Sequence, residues 1–232
     1  MAIYMLVHGA TAGGWIWQSL PRLLRASGHD VYTPTLTGLG ERRHLFHPDI
    51  TLDTHVLDVE NVLLFEDLHQ VILVGHSYGG AVITGVAERS ADRLSHLVYL
   101  DAFVPEDGKA IKDLYDPPVA EMLAENYRNG RASLPVNGGE ASDPRFTEHP
   151  LQTFLQPFHL KSRTASALPR TYIHCTDKAE MGIRGQGIVR SAGKAKAAGW
   201  SYHELPTGHH PMWTMPAELT ALLLQIPFEG HR

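Results

Sequence analysis

Short apolar runs recur along the chain, each closed by polar residues or glycine. They fall at residues 3–8, 30–34, 70–75, 94–100, 170–175 and 200–205. Runs of this length with flanking turn signals predict buried strands. Between them the apolar positions change to helical spacing. Residues 15–27 place Trp17, Leu20, Leu23 and Leu24 on one face, with Gly28 suited to end the helix. Residues 51–66 do the same with Leu52, His55, Val56, Val59, Val62 and Leu63. Further helices are predicted over 80–89, 187–198 and 216–225, and a Gly/Pro-broken loop over 35–49. Strands alternating with helices predict parallel βαβ units and an α/β class.

The pattern breaks at Pro105. From there to Leu168, helix-like pieces are interrupted by proline and glycine and no clear strand is visible. The expected organisation is one core, 1–104 with 169–232, interrupted by a mainly helical cap over 105–168.

Composition narrows the function. The chain has 232 residues, 43% of them hydrophobic, which suits one sizeable core. Its net charge of −5 is not gathered into any block, which argues against a nucleic-acid or anionic-membrane partner. A single cysteine, Cys175, excludes an intrachain disulfide and reads as a small core residue. The first strand begins without a basic segment before it, and no stretch reaches membrane-spanning length. A cytoplasmic protein, monomer or homodimer, is expected.

The chemistry is concentrated at Gly75-His76-Ser77-Tyr78-Gly79, between a predicted strand and a predicted helix. G-x-S-x-G in this setting forms a sharp turn that lifts the serine hydroxyl above the sheet. The flanking glycines avoid collisions where strand and helix come close. A serine hydroxyl needs a base, and the base needs an orienting acid. Along such chains the acid and then the histidine follow the serine, each on a loop after a strand. After strand 200–205 stand His209 and His210; after strand 170–175 stand Asp177 and, close by, Glu180. The oxyanion formed during acyl transfer needs backbone N–H donors. Tyr78 supplies one, and the small residues around Gly9 and Ala10 suit the second.

The motifs H-G-A-x-x-G-G-W-x-W at 8–17, G-H-S-Y-G-G at 75–80, L-D-A-F-V-P at 100–105 and G-H-H-P-M-x-x-x-P at 208–216 resemble one family. It is the compact esterase and hydroxynitrile lyase branch of the α/β-hydrolases, which includes plant methylesterases and bacterial esterases. The resemblance implies an α/β-hydrolase fold and a small carboxylic ester as substrate, with no cofactor or metal. It also implies that the base lies seven residues before the proline opening the last helix, which selects His209 ahead of Pro216. The oxyanion donors carry over to the amides of Ala10 and Tyr78. Family members often write the strand-end motif C-T-x-D-K, one residue longer than Cys175-Thr-Asp-Lys178 here. Asp177 is the expected acid, ahead of Glu180. Asp101 is the third candidate, because some α/β-hydrolases take the acid from the end of that strand.

Related hydroxynitrile lyases carry a threonine after the first loop histidine and a lysine after the catalytic one. Gly9 and His210 stand there instead, so an esterase is favoured over a lyase. The same triad is compatible with an amidase or carbamate hydrolase, and the same fold with a non-catalytic binding module. His8 and His76 read as structural hydrogen bonders. His44 and His47 lack the pattern of a metal site, and Gly9–Gly14 lacks the lysine of a phosphate loop. Trp213, with Phe154 and Phe158 of the cap, is expected to line the substrate pocket. Apolar cap residues, among them Leu114, Tyr115 and Met122, are expected to roof it and to set which ester is accepted.

Overall fold

The computed structural model describes residues 1–136, 143–179, 181–182 and 185–227. Among these, β1 (Ile3–Val7), β2 (Asp30–Tyr32), β3 (Val71–His76), β4 (Leu94–Leu100), β7 (Arg170–Cys175) and β8 (Ser201–Leu205) form one six-stranded sheet. Its order is β2-β1-β3-β4-β7-β8, and every neighbouring pair is parallel. The central strands are apolar at nearly every position because both faces of the sheet are covered.

Side-chain alternation sorts these strands into two cores. Tyr4, Leu6, Ile72, Val74, Val98 and Leu100 pack with α1 (Leu20–Ala26) and α9 (Pro216–Leu223). Met5, Val7, Leu73, Leu97 and Tyr99 pack with α2 (Leu52–Phe65), α3 (Gly79–Ser90) and α7 (Gly185–Ala197). The residues between β4 and β7 form α4 (Pro117–Arg128), α5 (Gln152–Leu155) and α6 (Arg163–Ala167), together with β5 (Ser133–Leu134) and β6 (His149–Pro150). Leu114, Leu123, Phe154 and Phe158 from this segment join the α2/α3 core.

Several local expectations change. The helix expected over 15–27 is a 3-10 turn at Gly14–Trp17 followed by α1, because Gln18 takes φ +43 between them. Leu23 is consequently on the outer side of α1 and 36% exposed. The antiparallel pair β5–β6 is two residues long, too short to show alternation in sequence. The short helix α8 (Pro211–Thr214) lies inside the segment expected as a loop. Met122 points outward and is 49% exposed, so it cannot roof a pocket. No helix among the described residues is long and apolar enough to cross a membrane.

Candidate active site

Ser77 directly follows β3 and takes φ +53, the left-handed region that non-glycine residues rarely occupy. The strain is held by close backbone packing. A Cβ on Gly75 would lie 2.5 Å from the Gly79 carbonyl oxygen, and one on Gly79 would lie 2.5 Å from that of Val7. A Cβ on Gly80 would lie 2.4 Å from the Phe103 carbonyl oxygen. The elbow is also tied to the neighbouring loop. Ser77 N–H donates to Leu100 O at 3.2 Å, and Phe103 N–H donates to Ser77 O at 3.1 Å.

That neighbouring loop carries the acid that meets the histidine. His209 Nδ1–H donates to Asp101 Oδ2 at 2.6 Å, which leaves Nε2 with the lone pair a general base requires. Asp101 is fully buried just past β4 and has φ +44. Its Oδ1 accepts from Cys175 N–H at 3.1 Å, and Lys178 Nζ pairs with both oxygens. His174 Nδ1 lies 3.4 Å from Oδ1, within ion-pair reach but not hydrogen-bonded. Burial alone would raise the carboxyl pKa. The contacts with His174 and His209 and the Lys178 charge outweigh it and hold the group well below the ordinary carboxylate range.

Asp177, the acid expected from sequence, is placed elsewhere. It is exposed, its backbone N–H donates to Thr207 O at 3.1 Å, and its carboxylate accepts from Ala179 N–H. Glu180 lies outside the described residues. At this strand end, one residue shorter than the motif it resembles, the Lys178 side chain reaches the Asp101 carboxylate while the Asp177 side chain is exposed.

His209 itself follows β8, and its side chain is 13% exposed. His76 Nε2–H donates to the His209 carbonyl at 2.7 Å, which fixes the loop against the elbow. The buried His8 donates from Nδ1 to Gly9 O at 2.8 Å and accepts Leu36 N–H on Nε2 at 3.0 Å. Burial lowers both histidines, His8 to about 4, so they are neutral hydrogen bonders. Ser77 Oγ makes no hydrogen bond with another described residue. Such bonds commonly close only once substrate is bound.

The loop after β1 touches Ser77. A Cβ on Gly9 would sit 3.0 Å from Ser77 Cβ and 3.1 Å from His76 Nδ1. The amides of Ala10 and Tyr78 meet no acceptor among the described residues. The Tyr78 ring is pinned beneath the elbow, its hydroxyl donating to His55 Nδ1 at 2.8 Å while His55 Nε2–H donates to Thr37 O.

Of the expected pocket residues, Trp213 stacks on His210 at 4.7 Å and donates from Nε1 to Ile16 O. Phe154 is buried and stacks on Tyr78 at 5.7 Å. Phe158 is buried in the core, its backbone paired with Gly108 and Lys109. A groove of about 510 Å³ runs between the 38–46 loop and cap residues Val136 and Phe146–Glu148. Its wall residue Phe146 contacts Trp15, His210 and Trp213. Cys175 is fully buried, and burial pushes its thiol pKa up.

The Asp101 carboxylate makes stability depend on pH. A carboxyl group held below its ordinary value stabilises the fold above that value, about 4 for aspartate. The contribution is lost as pH falls further, toward the depressed folded value. Thermal midpoints of wild type and Asp101→Asn should therefore differ most at neutral pH and converge below about pH 4. A constant difference from pH 7 to pH 3 would contradict this.

With its parallel sheet and a serine elbow whose His76 bonds the His209 backbone, the chain belongs to the alpha/beta hydrolase family, whose profile matches residues 5–222. Within that family it falls on the branch of plant methylesterases and bacterial esterases and is an esterase-type hydrolase. It is 36% identical to a carbendazim hydrolyzing esterase of Nocardioides sp. (strain SG-4G), over 96% of this chain and 98% of the relative. It is 31% identical to salicylic acid-binding protein 2 of Nicotiana tabacum, over 72% of this chain and 66% of the relative. An extracellular alpha/beta-hydrolase from a Paenibacillus species superimposes with a TM-score of 0.76 at 21% identity, covering 97% of this chain and 98% of that one. At that identity the superposition bears on the fold alone.

Proposed function

We propose that Ser77, His209 and Asp101 form the catalytic triad of a cofactor-independent serine esterase. The observation that carries this reading is the 2.6 Å bond between His209 Nδ1 and a buried carboxylate, next to a serine at positive φ. His209 Nε2 takes the Ser77 proton as Oγ attacks the ester carbonyl carbon. The amides of Ala10 and Tyr78 hold the resulting oxyanion. His209 then passes the proton to the leaving alcohol, and a water activated by the same nitrogen releases the acyl group. Asp101 holds the imidazole in the required tautomer and stabilises its charged form. Lys178 fixes the carboxylate from behind.

The substrate in this reading is a small ester reaching Ser77 between cap and core, 105–168 acting as the cap. In this reading Phe154, Phe158 and Trp213 line its path, with Phe146, which contacts Trp213. The relative named for carbendazim hydrolysis aligns over nearly all of both chains, so carbendazim, a carbamate ester, is the first compound to assay beside simple aryl esters. Lyase chemistry is disfavoured because position 9 is glycine, without the hydroxyl that related lyases carry there, and a Cβ at that position would lie 3.0 Å from Ser77 Cβ. A cytoplasmic setting fits the lone buried cysteine, and a monomer or homodimer completes the reading.

A fluorophosphonate reagent tests it. Mass spectrometry of the treated protein should find the phosphonyl group on the Ser77 peptide, with ester hydrolysis lost in proportion. Hydrolysis that persists in protein labelled at Ser77, or labelling on another serine, would overturn the assignment.

A further inference from the structure

The cap reaches the catalytic core at the residue next to the proposed oxyanion donor. Thr11 follows Ala10 and takes φ +64, an outlying conformation for a β-branched residue. Cap residues hold its backbone at both ends. Thr147 N–H donates to Thr11 O at 2.7 Å, and Thr11 N–H donates to His149 Nδ1 at 3.3 Å. The Thr147 hydroxyl also accepts from Gly40 N–H at 3.3 Å, which ties a second loop into the same contact.

His149 is built to accept. It is fully buried, and its Nε2–H donates to Thr153 Oγ1 at 2.9 Å. Thr153 in turn donates to Pro150 O at 2.7 Å, so its oxygen is left as the acceptor and Nδ1 of His149 carries the lone pair. The ring is wedged between Tyr78 at 4.5 Å and Phe154 at 5.5 Å. Burial, with the nearby His55 and His8, holds its pKa well below the ordinary histidine value, so the acceptor persists through neutral pH.

We propose that His149, assisted by Thr147, is a positioning residue for the oxyanion hole: it holds Thr11 in the left-handed conformation and so aims the Ala10 N–H at the reacting carbonyl. The cap then helps build the catalytic centre as well as cover it. This rests on the oxyanion role given to Ala10 above. A donor left free to swing loses most of its value in the transition state while substrate binding barely changes.

The test compares His149→Leu with His149→Asn, whose Oδ1 can replace Nδ1 as acceptor. Steady-state kinetics on an aryl ester are paired with inhibition by an alkyl boronic acid, which forms a tetrahedral adduct on the serine. For His149→Leu, kcat should fall about 10- to 100-fold with KM within about threefold, a partial loss of one oxyanion donor. Boronate affinity should fall in parallel, and the asparagine variant should recover most of both. If the leucine variant does not fold by circular dichroism, His149→Met takes its place. A rise in KM at constant kcat, or no recovery by asparagine, would show a packing role only and overturn the proposal. Unchanged kinetics in a leucine variant whose Ser77 is still labelled by fluorophosphonate would sink the clamp and leave the esterase reading standing. Failure of the wild type to label at Ser77 would remove both.

Discussion

Ser77→Ala and His209→Ala should each reduce ester hydrolysis by about 10⁶-fold, and the double variant should be little worse than either. The three groups act as one device. Without the hydroxyl there is no acyl acceptor, and without Nε2 nothing takes its proton. Alanine should fit the elbow, because the close contacts there are made by the backbone and by Gly75, Gly79 and Gly80. His210→Ala is the control. His210 follows directly in sequence, but it caps the start of α8 and stacks on Trp213, while the Asp101 bond is made by His209. Its loss should change KM or loop geometry by less than about tenfold, against the millionfold loss of a triad member. The measurement is kcat/KM for an aryl ester with circular dichroism on each protein. A dead His210 variant beside an active His209 variant would mean that the other imidazole is the base.

Asp101→Asn should lower kcat by about 10⁴-fold, while Asp177→Asn stays close to wild type. The bond between His209 Nδ1–H and Asp101 Oδ2 selects the tautomer with Nε2 bare. An asparagine amide presented there would favour the opposite tautomer and could not stabilise the imidazolium. The substitution also leaves the Lys178 ammonium, 19% exposed, without its carboxylate, so some stability is lost as well. Activity must therefore be measured on protein shown to be folded. Asp177 is exposed and, among the described residues, its carboxylate bonds only to Ala179 N–H, so neutralising it removes nothing from the proposed site. The reverse outcome, with Asp177→Asn inactive and Asp101→Asn active, would restore the acid that the sequence motif suggested.

Much of this protein was legible in its sequence. The strands and most helices follow from local periodicity, because a strand covered on both faces must be apolar throughout and a helix covered on one face must repeat. The elbow around Ser77 is equally local, since the nucleophile and the glycines that admit its strained turn are within six consecutive residues. The resemblance to the family, through its spacing before Pro216, pointed to His209 rather than His210, and His209 is the one that bonds Asp101.

What the chain order did not settle is which side chains turn inward where two strand-end loops meet. Asp101 and His209 are 108 residues apart, and Lys178 is 77 from Asp101. After β7 the Lys178 side chain reaches the Asp101 carboxylate while the Asp177 side chain is exposed, and no propensity or pattern along the chain encodes that choice. His149 and Thr11, 138 residues apart, show the same limit. The histidine shows no special spacing in sequence, and Thr11 carries no sign of its positive φ. Both are set by the 105–168 segment packing down onto the β1 loop, where a buried N–H and a buried imidazole nitrogen must find partners. The chain alone therefore determined the fold class and singled out Ser77 and His209 as the proposed nucleophile and base. The pairing of Asp101 with His209, and the link from His149 to Thr11, were decided by tertiary packing, because they depend on where buried polar groups separated by a hundred residues come to rest.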